Sequence, residues 1–343
     1  MQKTDIKSLY PEELKEFVAG IGEPAFRSVQ IFDWLHKGCS SFDEMTNLSK
    51  SLRDKLSEVA YIANVEIARK LVSEVDGTVK YLYRLNDGEL IESVLMKYHH
   101  GYTVCASTQV GCRMGCKFCA SGINGLARNL TASEILSQIT MAALDNGIRV
   151  SNVVLMGMGE PIDNFDNTVR FLKLVSNEKG PNIGLRHISV STSGLVDKIY
   201  KLSEYNLPVT LSISLHNPFD EQRSEIMPVN KKWNVEALIK ACKDYLSVTG
   251  RRISFEYALM DGVNDSPKHA EELAKLLKGM LSHVNLIPAN PVVENNFKRP
   301  DAKRINSFKL RLESLGVNAT VRRTLGADIN ASCGQLRREH KSI

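Results

Sequence analysis

The chain has 343 residues, enough for one large domain and a smaller one, and its 43% hydrophobic and 24% charged content is that of an ordinary globular protein. Its 44 Lys and Arg against 39 Asp and Glu leave a formal charge of +5, a mild excess that suits phosphate contacts without demanding them. No window approaches the roughly 20 apolar residues that span a bilayer, and the opening MQKTDIKSLYPEELKEF lacks the apolar core of a secretory signal, so a membrane protein is excluded and a cytoplasmic one expected. Seven cysteines, an odd number, argue against a disulfide framework in such a chain.

From about Asp5 the pattern is helical. Leu14, Phe17 and Val18, then Ile31, Phe32, Trp34 and Leu35, then Leu48, Leu52 and Leu56 recur at three- and four-residue spacing, predicting three short helices. EVDGTVKYLYRL and ELIESVLMKY next alternate apolar and polar residues across Asn86-Asp87-Gly88, a hairpin signal. From Tyr102 six short apolar runs follow: TVCAST, SNVVLMGM, HISVST, PVTLSISL, RRISFEYALM and HVNLIP. Helical stretches separate them, one opened by Thr131-Ala-Ser-Glu134, a capping box. This alternation implies an α/β fold with a parallel sheet and right-handed crossovers. Six units suggest a partial (β/α)6 TIM-like barrel, with an open doubly wound sheet as the alternative, and both place the site at the carboxyl ends of the strands. The expected organisation is a helical accessory domain over 1–75, a linking hairpin over 76–100, and a barrel with a C-terminal extension over 101–343.

The stretch GCRMGCKFCA puts Cys112, Cys116 and Cys119 within eight positions. Structural zinc wants four ligands, and the nearest further cysteine, Cys105, precedes the run on a predicted strand. A ferredoxin also supplies four thiolates per cluster. Three thiolates leave one iron of a cubane without a protein ligand, and that iron can take the amine and carboxylate of S-adenosylmethionine. Gly111 and Gly115 allow the loop to wrap closely, and Lys117 offsets negative charge. Cys39 and Cys242, in helical surroundings, read as packing residues.

The spacing C-x3-C-x2-C after the first barrel strand resembles the radical SAM motif. FRSVQIFDWLHKGCSSFDEMTNLSKSLRDKL, TVCASTQVGCRMGCKFCASG, MGMGEP, SLHNPFDEQRSEIMPVN and ASCGQLR together resemble the RlmN/Cfr family of RNA adenine methyltransferases across nearly the whole chain. Pro161 in MGMGEP matches the branch that methylates C2 of adenine; the antibiotic-resistance branch, which methylates C8, has alanine there.

The resemblance implies a radical SAM barrel holding a [4Fe-4S] cluster on Cys112, Cys116 and Cys119. It implies S-adenosylmethionine bound by Gly159, Glu160, Ser191, Ser214, Leu215, His216 and Asn290. Cys333 would carry a methyl group, Cys105 would resolve the enzyme–RNA adduct and leave a Cys105–Cys333 disulfide, and Glu92 would act as acid/base. From the residues alone, Cys105 reads more readily as a packed strand cysteine, Cys333 as a solvent-near bystander and Glu92 as an outward-facing strand carboxylate. The implied substrate is adenine 2503 of 23S rRNA together with adenine 37 of tRNA, with flavodoxin or ferredoxin as electron donor and a monomeric enzyme. Arg322, Arg323, Arg337, Arg338 and Lys341 are candidates for phosphate contact, with a solvated basic face as the alternative. The helical module resembles the family's RNA-gripping accessory. Two readings compete: a C8-methylating enzyme of the antibiotic-resistance branch, and a non-catalytic RNA-binding protein with a structural metal.

Overall fold

A computed structural model describes residues 3–290, 292, 296–331 and 335. The helices α1 (Pro11–Gly20), α2 (Arg27–His36) and α3 (Lys50–Val59) form as expected. Their stripes, including Leu14, Val18, Ile31, Leu35, Leu52 and Leu56, are buried against one another.

Ten strands make one sheet: β1 (Val65–Val72), β2 (Val79–Leu85), β3 (Leu90–Tyr98), β4 (Gly101–Cys105), β5 (Val150–Leu155), β6 (Ile188–Thr192), β7 (Thr210–Ser214), β8 (Ile253–Leu259), β9 (Ser282–Pro288) and β10 (Ala319–Val321). Spatial order equals chain order throughout. β1 to β4 pair antiparallel, and β4 to β10 pair parallel. The six apolar runs are β4 to β9. β1 falls inside the stretch read as helical, because VEIARKLV mixes charged and apolar residues and buries neither face cleanly. β10 is only three residues long, too short to leave a periodic signal.

The crossovers carry α4 (Ala132–Asn146), α5 (Phe165–Val175), α6 (Val196–Glu204), α7 (Asp220–Ile226), α8 (Val235–Thr249), α9 (Pro267–Leu277) and α10 (Ala302–Ser314). Right-handed connections that always advance in one direction stack every helix on one face. A doubly wound sheet would reverse direction; this one does not, so it curls into a partial barrel. Thr131 caps α4 as its sequence predicts, accepting from Glu134 N, while the Glu134 carboxylate takes Thr131 N at 2.9 Å.

The strand faces divide accordingly. Val153, Leu155, Val190, Ile213, Phe255 and Leu286 are buried toward the helices. The alternate positions include Asn152, Ser191, Ser214, Glu256, Asn285 and Arg322, so the inner face is mostly polar.

Two sets of contacts complete the body. Beside α4, the Lys7 ammonium donates to Ser137 Oγ at 2.7 Å and Asn64 Oδ1 at 3.3 Å, and Arg170 of α5 pairs with Glu13. At the other end, the turn after β1 grips residues 326–331. Ser73 Oγ and Glu74 N donate to the Asp328 carboxylate at 2.7 and 3.1 Å, Gly326 N donates to Asp76 Oδ2 at 2.9 Å, and Lys80 Nζ donates to the Asn330 carbonyl at 3.2 Å.

Burial pulls the Lys7 ammonium down to about 8. An unfolded lysine titrates near 10.4, so between about 8 and 10.4 the unfolded chain holds more protons and this site's contribution to stability rises with pH. Denaturant unfolding of wild type and Lys7→Met at pH 7 and pH 10 should show wild type gaining up to about 3 kcal/mol on the variant. A pH-independent difference would contradict a buried, strained ammonium.

Candidate active site

After β4 the chain passes through a short strand, Gln109–Gly111, paired with Leu126–Asn129, and enters the cysteine loop. Gly111 has φ +80°, and a Cβ there would lie 1.9 Å from the Gly125 carbonyl oxygen, so no other residue fits. Arg113 forks onto the Asp163 carboxylate, tying this loop to the one that follows β5.

Cys112, Cys116 and Cys119 line a cavity of about 170 Å³ at the carboxyl ends of the parallel strands. Cys116 and Phe118 pack against Ile226, Met227, Ala258, Met260 and Ala289, a dry wall behind the loop. Burial pushes the Cys112 thiol up to about 12, and burial with the neighbouring thiols pushes Cys116 well above its usual range. Such thiols lose their protons only to a cationic partner. Among the described residues no three His, Cys, Asp or Glu gather around a point as a single ion requires. Three soft donors spread around a cavity fit an iron–sulfur cluster better than zinc.

The residues expected to hold S-adenosylmethionine surround the same cavity: Gly159, Glu160, Ser191, Ser214, His216 and Asn290 all line it. Leu215 lies beneath, fully buried, its N–H donating to the Glu256 carbonyl at 3.1 Å. Glu160 faces this cavity with one carboxylate oxygen unsatisfied. Its Oε2 accepts from Ser193 N at 2.7 Å, but its Oε1 is buried without a partner, as is Ser193 Oγ. Burial pushes the carboxyl up to about 7. A ligand ammonium would satisfy that oxygen and restore the charge. His216 sits at φ +58° and accepts from Ala258 N at Nδ1, 2.9 Å. Burial lowers it to about 3, so the ring is neutral and its proton is on Nε2.

A second, smaller cavity adjoins the first, sharing Met156, Ile287, Asn290 and Arg322, and Cys105 lines it with Val94 and Met96 of β3. Glu92 lies two residues before Val94 on the same strand face. It is 1% exposed, and its Oε1 meets Lys80 Nζ at 2.5 Å. Cys333 lies outside the described residues, as do Arg337, Arg338 and Lys341. The expected Cys105–Cys333 disulfide is therefore not borne out. Arg322 points into the two cavities, and Arg323 lines the second. Cys39 and Cys242 pack in the core as expected.

Sequence reasoning missed Arg223. It is fully buried and donates to the carbonyls of Ser193, Ser214 and Leu215 and to Asn230 Oδ1, lacing β6 and β7 where the cavity opens. No pattern marks a buried arginine in DEQRSEI. Glu256, held by Ser254 and Asn285 at 2.9 and 2.7 Å, was also missed, although its place in the alternation of RRISFEYAL signals an inward carboxylate.

Residues 4–62 match the family model described as the ribosomal RNA large subunit methyltransferase N-terminal domain, and residues 106–277 match the radical SAM superfamily. A protein from Alkaliphilus oremlandii named a probable dual-specificity RNA methyltransferase RlmN is 55% identical, over 99% of each chain. One of the same name from Clostridioides difficile is 52% identical, over 99% of each. The crystal structure of a radical SAM methyltransferase from Sphaerobacter thermophilus superposes with a TM-score of 0.93 at 46% identity, covering 98% of this chain and 99% of the other.

With a carboxyl that titrates at about 7, ligand binding should eject a proton at low pH. Calorimetry of S-adenosylmethionine binding in buffers of differing ionisation enthalpy should count up to about one proton released at pH 6 and few at pH 8. Glu160→Gln should abolish the release and weaken binding at least ~10-fold. Equal proton counts at both pH values would show that Glu160 does not receive the ammonium.

Proposed function

We infer the reaction from the chain's membership of the RlmN family of dual-specificity RNA methyltransferases, within the radical SAM superfamily, to which it belongs. It methylates C2 of adenine in RNA, at A2503 of 23S rRNA and A37 of tRNA. It uses two S-adenosylmethionine molecules per turnover and a resident [4Fe-4S] cluster. C2 of adenine is electron-poor and offers no nucleophile, so polar methylation fails there. When bound, the cluster and S-adenosylmethionine supply the methyl group, the electron and the hydrogen-abstracting radical that this carbon requires.

The protein's own residues then divide the work. Cys112, Cys116 and Cys119 hold the cluster, and Glu160, with Gly159, Ser191, Ser214, His216 and Asn290, holds the nucleoside cofactor beside it. Cys333 carries the methyl group as a thioether. Glu92 takes the C2 proton from the enzyme–RNA adduct, and the Cys105 thiolate attacks the Cys333 sulfur; the electron pair of the broken sulfur–carbon bond stays on the methylene carbon, which takes up a proton and leaves as the methyl group of the base. What supports this division is the contact between the two cavities: Cys105 lines a space that shares four residues with the space lined by the three cysteines.

RNA is the substrate partner, and its target base must leave the stack at a cost of a few kcal/mol, which favours a loop or an unfinished ribosomal fold. The helical module and Arg323 grip phosphates, flavodoxin or ferredoxin is the electron donor, and the enzyme works as a monomer. Pro161 supports C2 over C8.

Anaerobic reconstitution should give about four irons per chain, and incubation with unmodified ribosomal RNA fragments should yield deoxyadenosine together with 2-methyladenosine. Methyl located at C8 by mass spectrometry would move the enzyme to the other branch. Cys105→Ala should accumulate RNA covalently joined to Cys333; free product at the wild-type rate would remove Cys105 from the reaction.

A further inference from the structure

Lys80 is a lysine inside the protein, its side chain 10% exposed, paired with a Glu92 side chain that is 2% exposed. Hydrophobic residues of similar volume in place of a buried ion pair are often as stable, so the pair's presence calls for a reason other than stability. Lys80 also has a second contact, donating at 3.2 Å to the carbonyl of Asn330, three residues before Cys333. One ammonium therefore touches the glutamate of β3 and the backbone at Asn330. That segment is fixed by further contacts: Asp76 and Asp328 lock it to the turn after β1, and Ala331 N closes onto the Gly326 carbonyl at 2.9 Å.

Strand register places these groups around one spot. Leu82 stands opposite Glu92 and Lys80 opposite Val94, so Lys80 is Glu92's diagonal neighbour on one face. Val94 in turn stands opposite Cys105, which makes Cys105 the diagonal neighbour of Glu92 on the other side, about 7 Å away. Among the described residues, the other charged or titratable groups on this face are Arg84 on β2, Glu66 and Arg69 opposite that strand on β1, Tyr98 farther along β3, and Arg322 and Arg323 across the second cavity. Lys80 is a cation in direct contact with the Glu92 carboxylate.

We propose that Lys80 is a positioning residue for adduct resolution: it keeps Glu92 ionised as the acceptor of the C2 proton, and it ties the chain at Asn330, three positions before Cys333 in sequence, to the strands that carry Glu92 and Cys105. The inference rests on the roles given above to Glu92 and Cys333.

The test uses reconstituted full-length enzyme carrying Lys80→Met, Lys80→Arg or Glu92→Gln, with iron content confirming the fold, and follows single-turnover decay of the RNA adduct against pH. Loss of the cation disfavours a buried carboxylate, so Glu92 in Lys80→Met becomes competent only at higher pH. The acid limb of that variant should move up by about one unit or more, with decay at pH 7 slowed at least ~10-fold. Lys80→Arg retains a cation, and its limb should stay within about 0.3 unit of wild type. An unmoved limb in Lys80→Met, whether or not the rate falls uniformly, overturns the inference, and so does a full-unit shift in Lys80→Arg, which decides the matter if the methionine variant does not fold. Glu92→Gln separates this from the premise: wild-type decay in that variant sinks the base assignment itself, whereas arrested decay beside a normal Lys80→Met sinks only the part given to Lys80.

Discussion

A parallel sheet that covers only one of its faces with helices leaves the other to be filled or closed, and this constraint governs the molecule. Val153, Val190, Ile213 and Phe255 are buried among the helices, while serines, asparagines and Glu256 occupy alternate positions. A flat sheet of this composition would expose a broad polar-lined concavity to water. Curling gathers those side chains into a lumen, where the carboxyl ends of β4 to β9 converge on the cysteine loop. The site is thus a product of the same alternation that makes the strands.

Within that lumen, buried groups are held in states that a ligand would change. Burial pushes Glu160 and the thiols of Cys112 and Cys116 toward their protonated forms. Arg223 solves the opposite problem. Its guanidinium is surrounded by carbonyl oxygens, not carboxylates, and burial lowers it to about 10. It thereby braces the ends of β6 and β7 without neutralising the carboxylate that faces the cofactor.

Much of this was legible in the sequence because it is local. The strand runs, the capping box at Thr131, the three cysteines and the polar strand termini are each written within a few consecutive residues. What was not legible is written across long separations. β1 hid because its charged residues break the alternation, and its strand character comes from pairing with β2. Glu92 could be read only as an outward carboxylate until Lys80 was found beside it from the neighbouring strand. Arg223 looks like any surface arginine because its partners are backbone oxygens, which carry no side-chain signature. Cys333 stays an assignment by likeness, since it lies outside the described residues.

The clasp between the turn after β1 and residues 326–331 joins groups 250 to 255 positions apart in the chain. Synthesis at roughly 5–20 residues per second puts on the order of ten seconds or more between the emergence of the two halves. The cysteine loop and the inner serines are made within that interval, so the clasp at residues 326–331 can close only after every strand of the cavity exists, and this flank is the last part of the body to be sealed.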